Sequence, residues 1–354
     1  MTYDIIIIGA GPAGVSAAYD LNQLGYKVLI IDRHEQIKQK ACAGGLTQKS
    51  IEKLRFDISE VTRIDSNQVR FNLHNRANSS FNIDSPGTGV TLTVRHELDK
   101  FCLKKTLETG VDFRCEPKLT RLSDDHNLVH LYNHLGDKIS AKFIIGADGA
   151  KSRIRKLLNI ERKPTGFAIE GVASVAEYDR CRSLVFDFNQ LKNGYGWLFP
   201  KGDHVNIGLY SASLKDVEVS KQILTKYAEE RFGVPRFDHI IGAPLPIDGQ
   251  QYRPEHPRIF LIGDAAGFAE SFLGEGIHNA IHSGQIVASA IDRSLRRNTN
   301  ALTEFNNQLA SIRRNQLFMN TSAQAFHTLL PHSYLGVKTI APTLKKIKDS
   351  LAII

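Results

Sequence analysis

The fold is decided by residues 3–14, which read Tyr3-Asp4-Ile5-Ile6-Ile7-Ile8-Gly9-Ala10-Gly11-Pro12-Ala13-Gly14. The apolar, β-branched run that ends at Ile8 predicts a buried parallel strand. The residues from Pro12 to Leu24 predict a helix. A second apolar run, Lys27–Ile31, predicts another strand that ends at Asp32. A strand, a glycine turn, a helix and a strand in this order form a βαβ unit.

The three glycines of this turn match the pattern G-x-G-x-x-G. The first permits a tight turn, the second lets the backbone approach a pyrophosphate, and the third allows helix and strand to pack closely. Asp32 follows Gly14 by 18 residues, where a carboxylate can accept hydrogen bonds from ribose hydroxyls. A turn that binds nothing is the alternative, but the complete pattern favours a dinucleotide. The residues expected to hold it are Gly9, Gly11, Ala13, Gly14, Asp32 and Arg33.

Two later strand ends repeat this kind of junction. The apolar run Lys142–Ile145 leads into Gly146-Ala147-Asp148-Gly149, and Arg258–Ile262 leads into Gly263-Asp264-Ala265-Ala266-Gly267. The three junctions lie far apart along the chain. We therefore expect one sheet that is assembled from separated segments.

The chain between the second and third junctions has a different pattern. Alternating runs separated by turn residues predict antiparallel strands at Phe167–Val175, Ser183–Phe188, Tyr195–Pro200 and Val205–Tyr210. A helix is predicted from about Leu214 to Phe232. The second unit is therefore expected to be inserted into the first.

Together, the N-terminal turn and the glycine turns around Asp148 and Asp264 resemble those of the flavin hydroxylase-like superfamily, which has the p-hydroxybenzoate hydroxylase fold. The resemblance implies bound FAD, with Asp264 on the ribitol side and the Asp148 loop bracing the dinucleotide. It also implies that the amides of Gly276 and Ile277, at the start of a predicted helix, face the pyrimidine edge of the flavin. Further cofactor contacts are implied at Arg95 and Leu119.

Two more segments narrow the resemblance. Lys40-Ala41-Cys42-Ala43-Gly44-Gly45-Leu46 resembles the K-x-C-x-G-G-L segment of geranylgeranyl reductase-like proteins. Tyr195-Gly196-Trp197-Leu198-Phe199-Pro200-Lys201 resembles their Y-x-W-x-F-P-K segment, which lines the substrate channel near the flavin. Members of this family reduce isolated double bonds in prenyl chains, and others have no known substrate. The first segment implies cofactor contacts at Ala43, Gly44 and Leu46.

These observations predict an α/β protein with a Rossmann-like FAD-binding domain, an inserted antiparallel-sheet substrate domain and a helical C-terminus. A length of 354 residues agrees with about two domains. The FAD-binding domain is assigned to residues 1–60, 95–165 and 252–300. The substrate domain is assigned to 61–94 and 166–251, and the helical C-terminal region to 301–354.

The side chains of Tyr195, Trp197 and Phe199 share one face of their strand, because side chains alternate along a strand. An alkene offers no charged group, so its binding must come from apolar burial, worth about 0.8 kcal/mol per CH₂. These rings would supply such a wall, although an ordinary sheet core shows the same stripe. Cys42 also has two interpretations. It is either a thiol that supplies a proton or shapes the pocket, or a small buried apolar residue.

The resemblance implies a FAD-dependent oxidoreductase that reduces carbon–carbon double bonds of a prenyl or other lipid by hydride transfer from reduced FAD. Two alternatives stay open: a monooxygenase of an aromatic or quinone-like substrate, and a flavin- or lipid-binding protein without turnover. No second complete G-x-G-x-x-G occurs in the sequence. A nicotinamide donor, NAD(P)H, would therefore bind only transiently, and ferredoxin is the other candidate donor.

Composition excludes several classes of protein. A hydrophobic content of 42% and a charged content of 23% exclude disorder and a collagen-like fibre. Four scattered cysteines favour a reducing compartment, and neither a secretory signal nor an apolar run of about 18 residues is present. We therefore expect a cytoplasmic protein. His126, His130 and His134 have the spacing of helical metal ligands, but their segment alternates like a solvent-facing strand, so no metal is expected.

The net charge of +8 is concentrated near the C-terminus, where residues 285–354 hold nine Lys or Arg and three Asp or Glu. No nucleic-acid motif accompanies this charge, so nucleic acid is not an expected partner. Between residues 343 and 354, apolar residues recur at helical spacing beside three lysines, as in an interfacial helix. This pattern predicts peripheral contact of the basic C-terminus with the inner face of a membrane. A helix that packs its apolar stripe on the protein is the equal alternative.

Overall fold

A computed structural model of the chain describes residues 2–73, 80–84, 89–116, 118–161, 166–174, 183–188, 191, 193–213, 219–234 and 236–329. The strands in these ranges are β1 (Thr2–Ile8), β2 (Val28–Asp32), β3 (Gly45–Thr47), β4 (Thr62–Ser66), β5 (Gln68–Leu73), β6 (Ser80–Asp84), β7 (Val90–Thr93), β8 (Asp112–Cys115), β9 (Leu119–Asp124), β10 (Val129–Asn133), β11 (Lys138–Gly146), β12 (Gly166–Ser174), β13 (Leu184–Phe188), β14 (Gly194–Pro200), β15 (His204–Ser211), β16 (His239–Leu245) and β17 (Ile259–Leu261). The helices are α1 (Pro12–Gln23), α2 (Gln48–Lys53), α3 (Arg95–Leu107), α4 (Arg153–Leu157), α5 (Lys221–Phe232), α6 (Ile277–Arg297) and α7 (Ala301–Leu329), with short 3-10 turns at Ser59–Val61, Gly249–Gln251 and Gly263–Ala265.

The core is a mixed sheet in the order β8-β2-β1-β11-β10-β9. The first four of these strands run parallel. The central three, β2, β1 and β11, are rich in isoleucine, as expected for strands that are covered on both faces. The edge of β11 that faces away from β1 pairs with two strands. Strand β10 pairs with the first half of β11, and β17 pairs with Ile144–Gly146. The carboxyl ends of β1, β2, β11 and β17 therefore lie side by side. The three glycine junctions meet at this edge, as predicted.

Helices α1 and α6 pack against each other over this core. Their approach is close because Gly284 of α6 has no side chain. A Cβ at that position would lie 2.5 Å from the carbonyl oxygen of Ala13 in α1. The first turn of α1 is thus fixed by its contact with α6, which lies far away along the chain.

A second sheet has the order β16-β12-β15-β14-β13-β5-β6. Its neighbouring strands are antiparallel except β13 and β5, which run parallel. The long stretch of chain between β5 and β13 provides the crossover that a parallel pair requires. Residues such as Leu198 and Ile207 pack one face against α5. The opposite face carries a cluster of aromatic side chains. The third sheet is small and has the order β3-β7-β4. The predicted fold class is confirmed, and the domain limits stay a prediction.

The helix predicted from Leu214 begins later than expected. Helix α5 starts at Lys221, because the hydroxyl of Ser220 accepts the backbone N–H of Ile223 and caps the helix. Residues 214–218 lie outside the described residues. The predicted membrane-facing segment, 343–354, also lies outside them.

The prediction of a solvent-facing strand around His130 is wrong. Most of β10 is buried, and the ring nitrogens of His130 pair with the side chains of Ser140 and Asp125, both at 2.8 Å. In the described ranges, no three His, Cys, Asp or Glu side chains are grouped so that they could hold a metal ion. Among the helices described, none combines the length and hydropathy needed to span a bilayer.

Candidate FAD site

The glycine turn after β1 contains one glycine whose Cβ position is not crowded by backbone atoms. Gly9 has a φ of +110°, and a Cβ on it would lie 2.3 Å from the carbonyl oxygen of Ala147. A Cβ on Gly14 would lie 2.0 Å from the carbonyl oxygen of Gly9. The fold itself therefore requires both glycines. In contrast, a Cβ on Gly11 would meet, among the described residues, only the Nζ atom of Lys40 at 3.3 Å. The backbone at Gly11 is open to a ligand.

Asp32 ties the end of β2 to this turn. Its Oδ2 atom accepts the N–H of Ala10 at 3.0 Å, and its Oδ1 atom accepts the N–H of His34 at 3.0 Å. Arg33 lies between them with an exposed side chain. Helix α1 begins after Gly11 without a side-chain cap, so its first N–H groups are available to an anion. The open glycine and the uncapped helix end fit the pyrophosphate of a dinucleotide.

Asp148 and Leu119 meet beside this turn through Arg153. The carboxylate of Asp148 accepts the hydroxyl of Ser152 and the backbone N–H groups of Arg153 and Ile154, and so caps α4. Burial raises the pKa of Asp148 in spite of these hydrogen bonds. The Nε atom of Arg153 donates to the carbonyl oxygen of Leu119 at 2.9 Å. Both residues therefore hold the loop, and their contact with the cofactor stays a prediction.

The third junction places Asp264 at the N-terminus of α6. Asp264 lies in the 3-10 turn after β17, and a Cβ on Gly276 would lie 3.5 Å from its Oδ1 atom. Gly276 precedes α6 without a side-chain cap, and Ile277 is the first helical residue. A helix of 21 residues thus presents its positive end beside Asp264. The structure brings together all three residues that the resemblance places at the ribitol and the flavin ring.

The segment Lys40–Leu46, here called the Cys42 segment, lies against strands of two sheets. Gly44 has a φ of +67°, and a Cβ on it would lie 2.1 Å from the carbonyl oxygen of Thr93. The N–H of Thr93 donates to the carbonyl oxygen of Gly44 at 2.8 Å. A Cβ on Gly45 would lie 2.9 Å from the ring of Phe199. The glycines are needed because β7 and the aromatic strand β14 approach this segment from two sides.

Two buried ionisable residues anchor the same segment from the second sheet. Lys201 donates from Nζ to the carbonyl oxygens of Ala43 at 2.5 Å and Thr93 at 2.9 Å. Burial lowers the pKa of Lys201 to about 7, although Cys42 and Glu170 oppose this shift. Burial raises the pKa of Glu170 to about 6, and hydrogen bonds from the backbone N–H of Cys42 and from the side chain of Asn206 partly offset it.

Arg95 interacts with the side chain of Cys42. It forms an ion pair with Asp99, one helical turn later, at 3.0 Å. Burial alone would lower the pKa of Arg95, but Asp99 and Cys42 together raise it, so the guanidinium is charged. The side chain of Arg95 is also within hydrogen-bonding reach of Cys42. A sulfur atom, a guanidinium and a buried carboxyl group therefore meet at this segment.

The predicted aromatic wall exists and is buried. Tyr195 and Trp197 have ring centroids 6.0 Å apart and pack with Phe186, Phe188 and Tyr210, among others. The Nε1 atom of Trp197 donates to Oδ1 of Asn206 at 2.7 Å. The hydroxyl of Tyr195 donates to the carbonyl oxygen of Leu273, in the loop before α6. The wall is therefore part of a packed cluster, and its contact with substrate stays a prediction.

Comparisons with known proteins identify the family. A family model described as an FAD binding domain matches residues 2–190. The chain is 35% identical over 297 residues to an uncharacterised protein of Methanosarcina barkeri, covering 83% of this chain and 76% of that protein. It is 29% identical over 304 residues to a geranylgeranyl diphosphate reductase of Rhodobacter capsulatus, covering 82% of this chain and 75% of that enzyme. The chain belongs to the geranylgeranyl reductase-like family of FAD-dependent oxidoreductases.

Solved structures agree on the fold. A geranylgeranyl bacteriochlorophyll reductase-like protein of Thermoplasma acidophilum superposes with a TM-score of 0.80 at 19% identity, over 99% of both chains. A probable FAD-dependent monooxygenase of Pseudomonas aeruginosa superposes with a TM-score of 0.70 at 18% identity, over 94% of this chain and 97% of that one. The fold of this oxidoreductase family is thus shared by proteins with different reactions, and it does not by itself choose the reaction.

Glu170 and Asn206 were not predicted from the sequence, and Lys201 was noted only as the end of a motif. For Glu170, the sequence offered only a weak and local indication of burial. Glu170 is the only charged residue of its strand, at a position that alternation places on the same face as Ala168 and Val172. A charged residue within an apolar strand indicates a buried partner. That partner, the Cys42 segment, is more than a hundred residues away and left no trace in the local pattern.

Proposed function

We propose that this FAD-dependent oxidoreductase reduces carbon–carbon double bonds of a prenyl or other lipid. One observation carries the proposal: the buried aromatic cluster reaches the Cys42 segment, where the ring of Phe199 packs directly on Gly45. An apolar wall next to a cofactor segment is what an uncharged alkene requires, because only apolar burial can hold it. The reductase named in Rhodobacter capsulatus, similar along most of the chain, supports the same class of substrate.

The residues that would hold FAD are those that fit it in the structure. Gly11 and the N-terminus of α1 would take the pyrophosphate, Asp32 the ribose, and Gly276 with Ile277 the pyrimidine edge of the flavin. When bound and reduced, FAD supplies a hydride. We propose NAD(P)H or ferredoxin as the transient electron donor. The chain has to orient the alkene, exclude water and provide a proton.

The Cys42 segment is the candidate for the last two of these tasks. Lys201 and Glu170 fix its backbone, and Arg95 contacts the Cys42 side chain. The aromatic cluster that packs on this segment is apolar and keeps water away. A saturated product needs one hydride and one proton for each double bond. Cys42 is therefore proposed as the proton donor or as the residue that shapes the pocket around the alkene.

A prenyl lipid substrate would reside in a bilayer. We therefore also propose peripheral contact with a membrane surface, with the basic C-terminal residues as one candidate for that contact. This contact does not require a spanning helix, because an interfacial segment or a charged surface is sufficient.

The function is tested by lipid mass spectrometry of cells that lack this protein. Prenyl chains of at least one lipid should carry additional double bonds, each lowering the mass by two hydrogens. Wild-type protein should restore saturation, whereas Gly11→Val, which blocks the open side of the glycine turn, should not. Unchanged prenyl saturation together with loss of a hydroxylated aromatic or quinone product would instead favour a monooxygenase.

A further inference from the structure

Three arginines line an open cleft between α7 and the 3-10 turn Gly249–Gln251. Arg253, Arg313 and Arg314 border a cleft of about 560 Å³, together with Leu317. Within the described part of the chain, no carboxylate oxygen lies within 4.0 Å of these three guanidinium groups. The cleft is therefore cationic, and no ion pair with a described residue neutralises it.

The protein holds two of these guanidinium groups in fixed positions. Arg253 donates to the carbonyl oxygens of Gln250 at 2.7 Å and Tyr252 at 3.0 Å. Arg313 donates from Nη2 to Oδ1 of Asn306 at 2.9 Å. These contacts preorganise the two groups, so little side-chain entropy remains to be lost when a ligand binds.

Arg313 carries an uncompensated cost, which its neighbour Arg253 increases. The Nε atom of Arg313 is buried and has no hydrogen-bond partner among the described residues. Burial, and then repulsion by Arg253, lower the pKa of Arg313. An unpaired buried donor beside a like charge is unfavourable. A phosphate group in the cleft would neutralise the repulsion between the two arginines, since guanidinium groups bind phosphate with paired hydrogen bonds.

Apolar side chains extend the cationic surface along α7. Leu317 is 59% exposed and Phe318 is 45% exposed, whereas large apolar residues on this helix such as Phe305 and Leu309 are buried. Leu317 and Phe318 follow Arg313 and Arg314 by one helical turn, so the four side chains lie on neighbouring positions of one surface. Basic and large apolar residues on one helix face are typical of helices that lie in the headgroup region of a bilayer.

The opposite face of α7 belongs to the aromatic cluster. Phe326 lies 4.9 Å from Phe188 and 5.1 Å from Phe272, measured between ring centroids. Met319 and Ala323 pack into the same cluster. One helix therefore separates the exposed basic and apolar surface from the apolar interior where the proposed substrate would bind. A helix with its side chains is only about 10–12 Å wide.

We propose that Arg253, Arg313, Arg314, Leu317 and Phe318 form a surface, here the α7 patch, that docks the protein on bilayers containing anionic phospholipid. The guanidinium groups contact lipid phosphates, and the two apolar side chains enter the boundary with the acyl chains. The choice of a bilayer rests on the proposed function, because a lipid substrate makes such contact useful. The charge and the exposure of the patch do not depend on that function.

Co-sedimentation with vesicles tests the α7 patch. Full-length protein should bind vesicles of phosphatidylcholine mixed with phosphatidylglycerol, bind pure phosphatidylcholine much less, and be released by salt. The double variant Arg313→Gln/Arg314→Gln should bind about 25-fold more weakly, since each arginine near an anionic surface contributes about five-fold. Arg114→Gln/Arg121→Gln, which removes the same charge from exposed positions of β8 and β9, is the matched control and should bind like wild type.

A second pair of variants tests the apolar part. Leu317→Ser should weaken vesicle binding, whereas Leu135→Ser, which alters a residue that is 74% exposed elsewhere, should not. Equal binding by wild type and the arginine double variant would overturn the proposal. So would loss of binding only when the chain ends at Pro342, because that result assigns the contact to the C-terminal residues.

Inorganic phosphate distinguishes a free anion from a lipid headgroup. If titration calorimetry detects phosphate binding that the arginine double variant loses, while both proteins bind vesicles equally, the cleft is an anion site and not a docking surface. Turnover is measured separately on prenyl lipid dispersed in detergent. If the protein reduces this lipid but does not bind vesicles, only the docking proposal is overturned. If it binds vesicles but reduces no lipid, only the proposed function is overturned.

Discussion

The Nζ atom of Lys201 lies 2.9 Å from the carbonyl oxygen of Thr93, and this hydrogen bond joins the end of β14 to the end of β7. The same atom also holds the carbonyl oxygen of Ala43. An ammonium group that is almost completely buried therefore fixes the segment that carries Cys42. Burying an ammonium group costs free energy unless its hydrogen bonds are satisfied. The buried Lys201 therefore indicates that the protein requires the Cys42 segment to be held in one position.

Lys201→Met should change both turnover and the pH dependence of stability. Burial lowers the pKa of Lys201 to about 7, whereas the unfolded chain keeps a value near 10.5. Between these values the unfolded state binds more protons than the folded state, so wild-type stability gains a contribution that increases as pH increases, by at most about 1.4 kcal/mol per pH unit. Urea unfolding from pH about 7 to about 9 should show this slope in wild type and not in the variant.

The control for Lys201→Met is Lys226→Met, at a position where the lysine side chain is 74% exposed. It should keep the wild-type pH slope and the wild-type turnover. In Lys201→Met, the loss of two hydrogen bonds should loosen the Cys42 segment and lower turnover by about ten-fold or more. Identical pH slopes in all three proteins would contradict the assignment of a buried, perturbed lysine.

Gly11→Val and Gly14→Ala should fail for different reasons. The backbone of Gly11 has φ −81° and ψ −178°, which valine adopts without strain, and a Cβ on it would meet, among the described residues, only the flexible end of Lys40. Gly11→Val should therefore fold normally and lose FAD. Gly14→Ala places a Cβ 2.0 Å from a backbone oxygen and should destabilise the protein even without cofactor. Thermal unfolding of the apoproteins and flavin content after purification separate the two variants. Stoichiometric FAD in Gly11→Val would contradict the proposal that the pyrophosphate binds at Gly11 and the N-terminus of α1.

Replacement of Cys42 should leave FAD bound. The Sγ atom accepts the N–H of Gly44 at 3.4 Å, a contact that a serine hydroxyl can preserve and an alanine cannot. Cys42→Ser should keep the segment in place, while Cys42→Ala should release it in part. Both should lower turnover or change how many double bonds are reduced, as measured by product mass. Wild-type kinetics in both variants would show that Cys42 has only a packing role.

Gly208→Ala tests the aromatic wall. A Cβ on Gly208 would lie 2.1 Å from Cζ2 of Trp197, so the indole has to move. We expect a loss of stability of about 1–3 kcal/mol from overpacking, with FAD still bound. Trp197 is the only tryptophan of the chain, so its fluorescence reports the displacement directly. Turnover of a prenyl lipid should fall when the indole is displaced. Full activity despite shifted fluorescence would show that the indole does not contact the substrate.

The sequence predicted the parts of this site that depend on local pattern. Residues 3–14 fix a strand, a turn and a helix through apolar β-branched residues and glycines that act within a few positions. The strands before Asp148 and Asp264 are similar cases. Parallel strands align their carboxyl ends, so the meeting of these junctions follows from the fold class.

The contacts that fix the Cys42 segment could not be predicted in this way. Lys201 and Ala43 are 158 residues apart, and their hydrogen bond depends on how β14 docks beside β7. Glu170 approaches the same segment from a third part of the chain. The alternation around His130 was also misinterpreted, because a histidine whose two ring nitrogens are paired can be buried as readily as an apolar residue.

The most direct test of the central claim is anaerobic reoxidation of the reduced flavoprotein by a prenyl lipid. Purified protein is reduced with dithionite without oxygen and mixed with a lipid that carries isolated double bonds. The absorbance of oxidised FAD should return, and the product should be heavier by two hydrogens for each bond reduced. The proposed function is contradicted if the flavin stays reduced until oxygen is admitted and the product then contains an added oxygen atom.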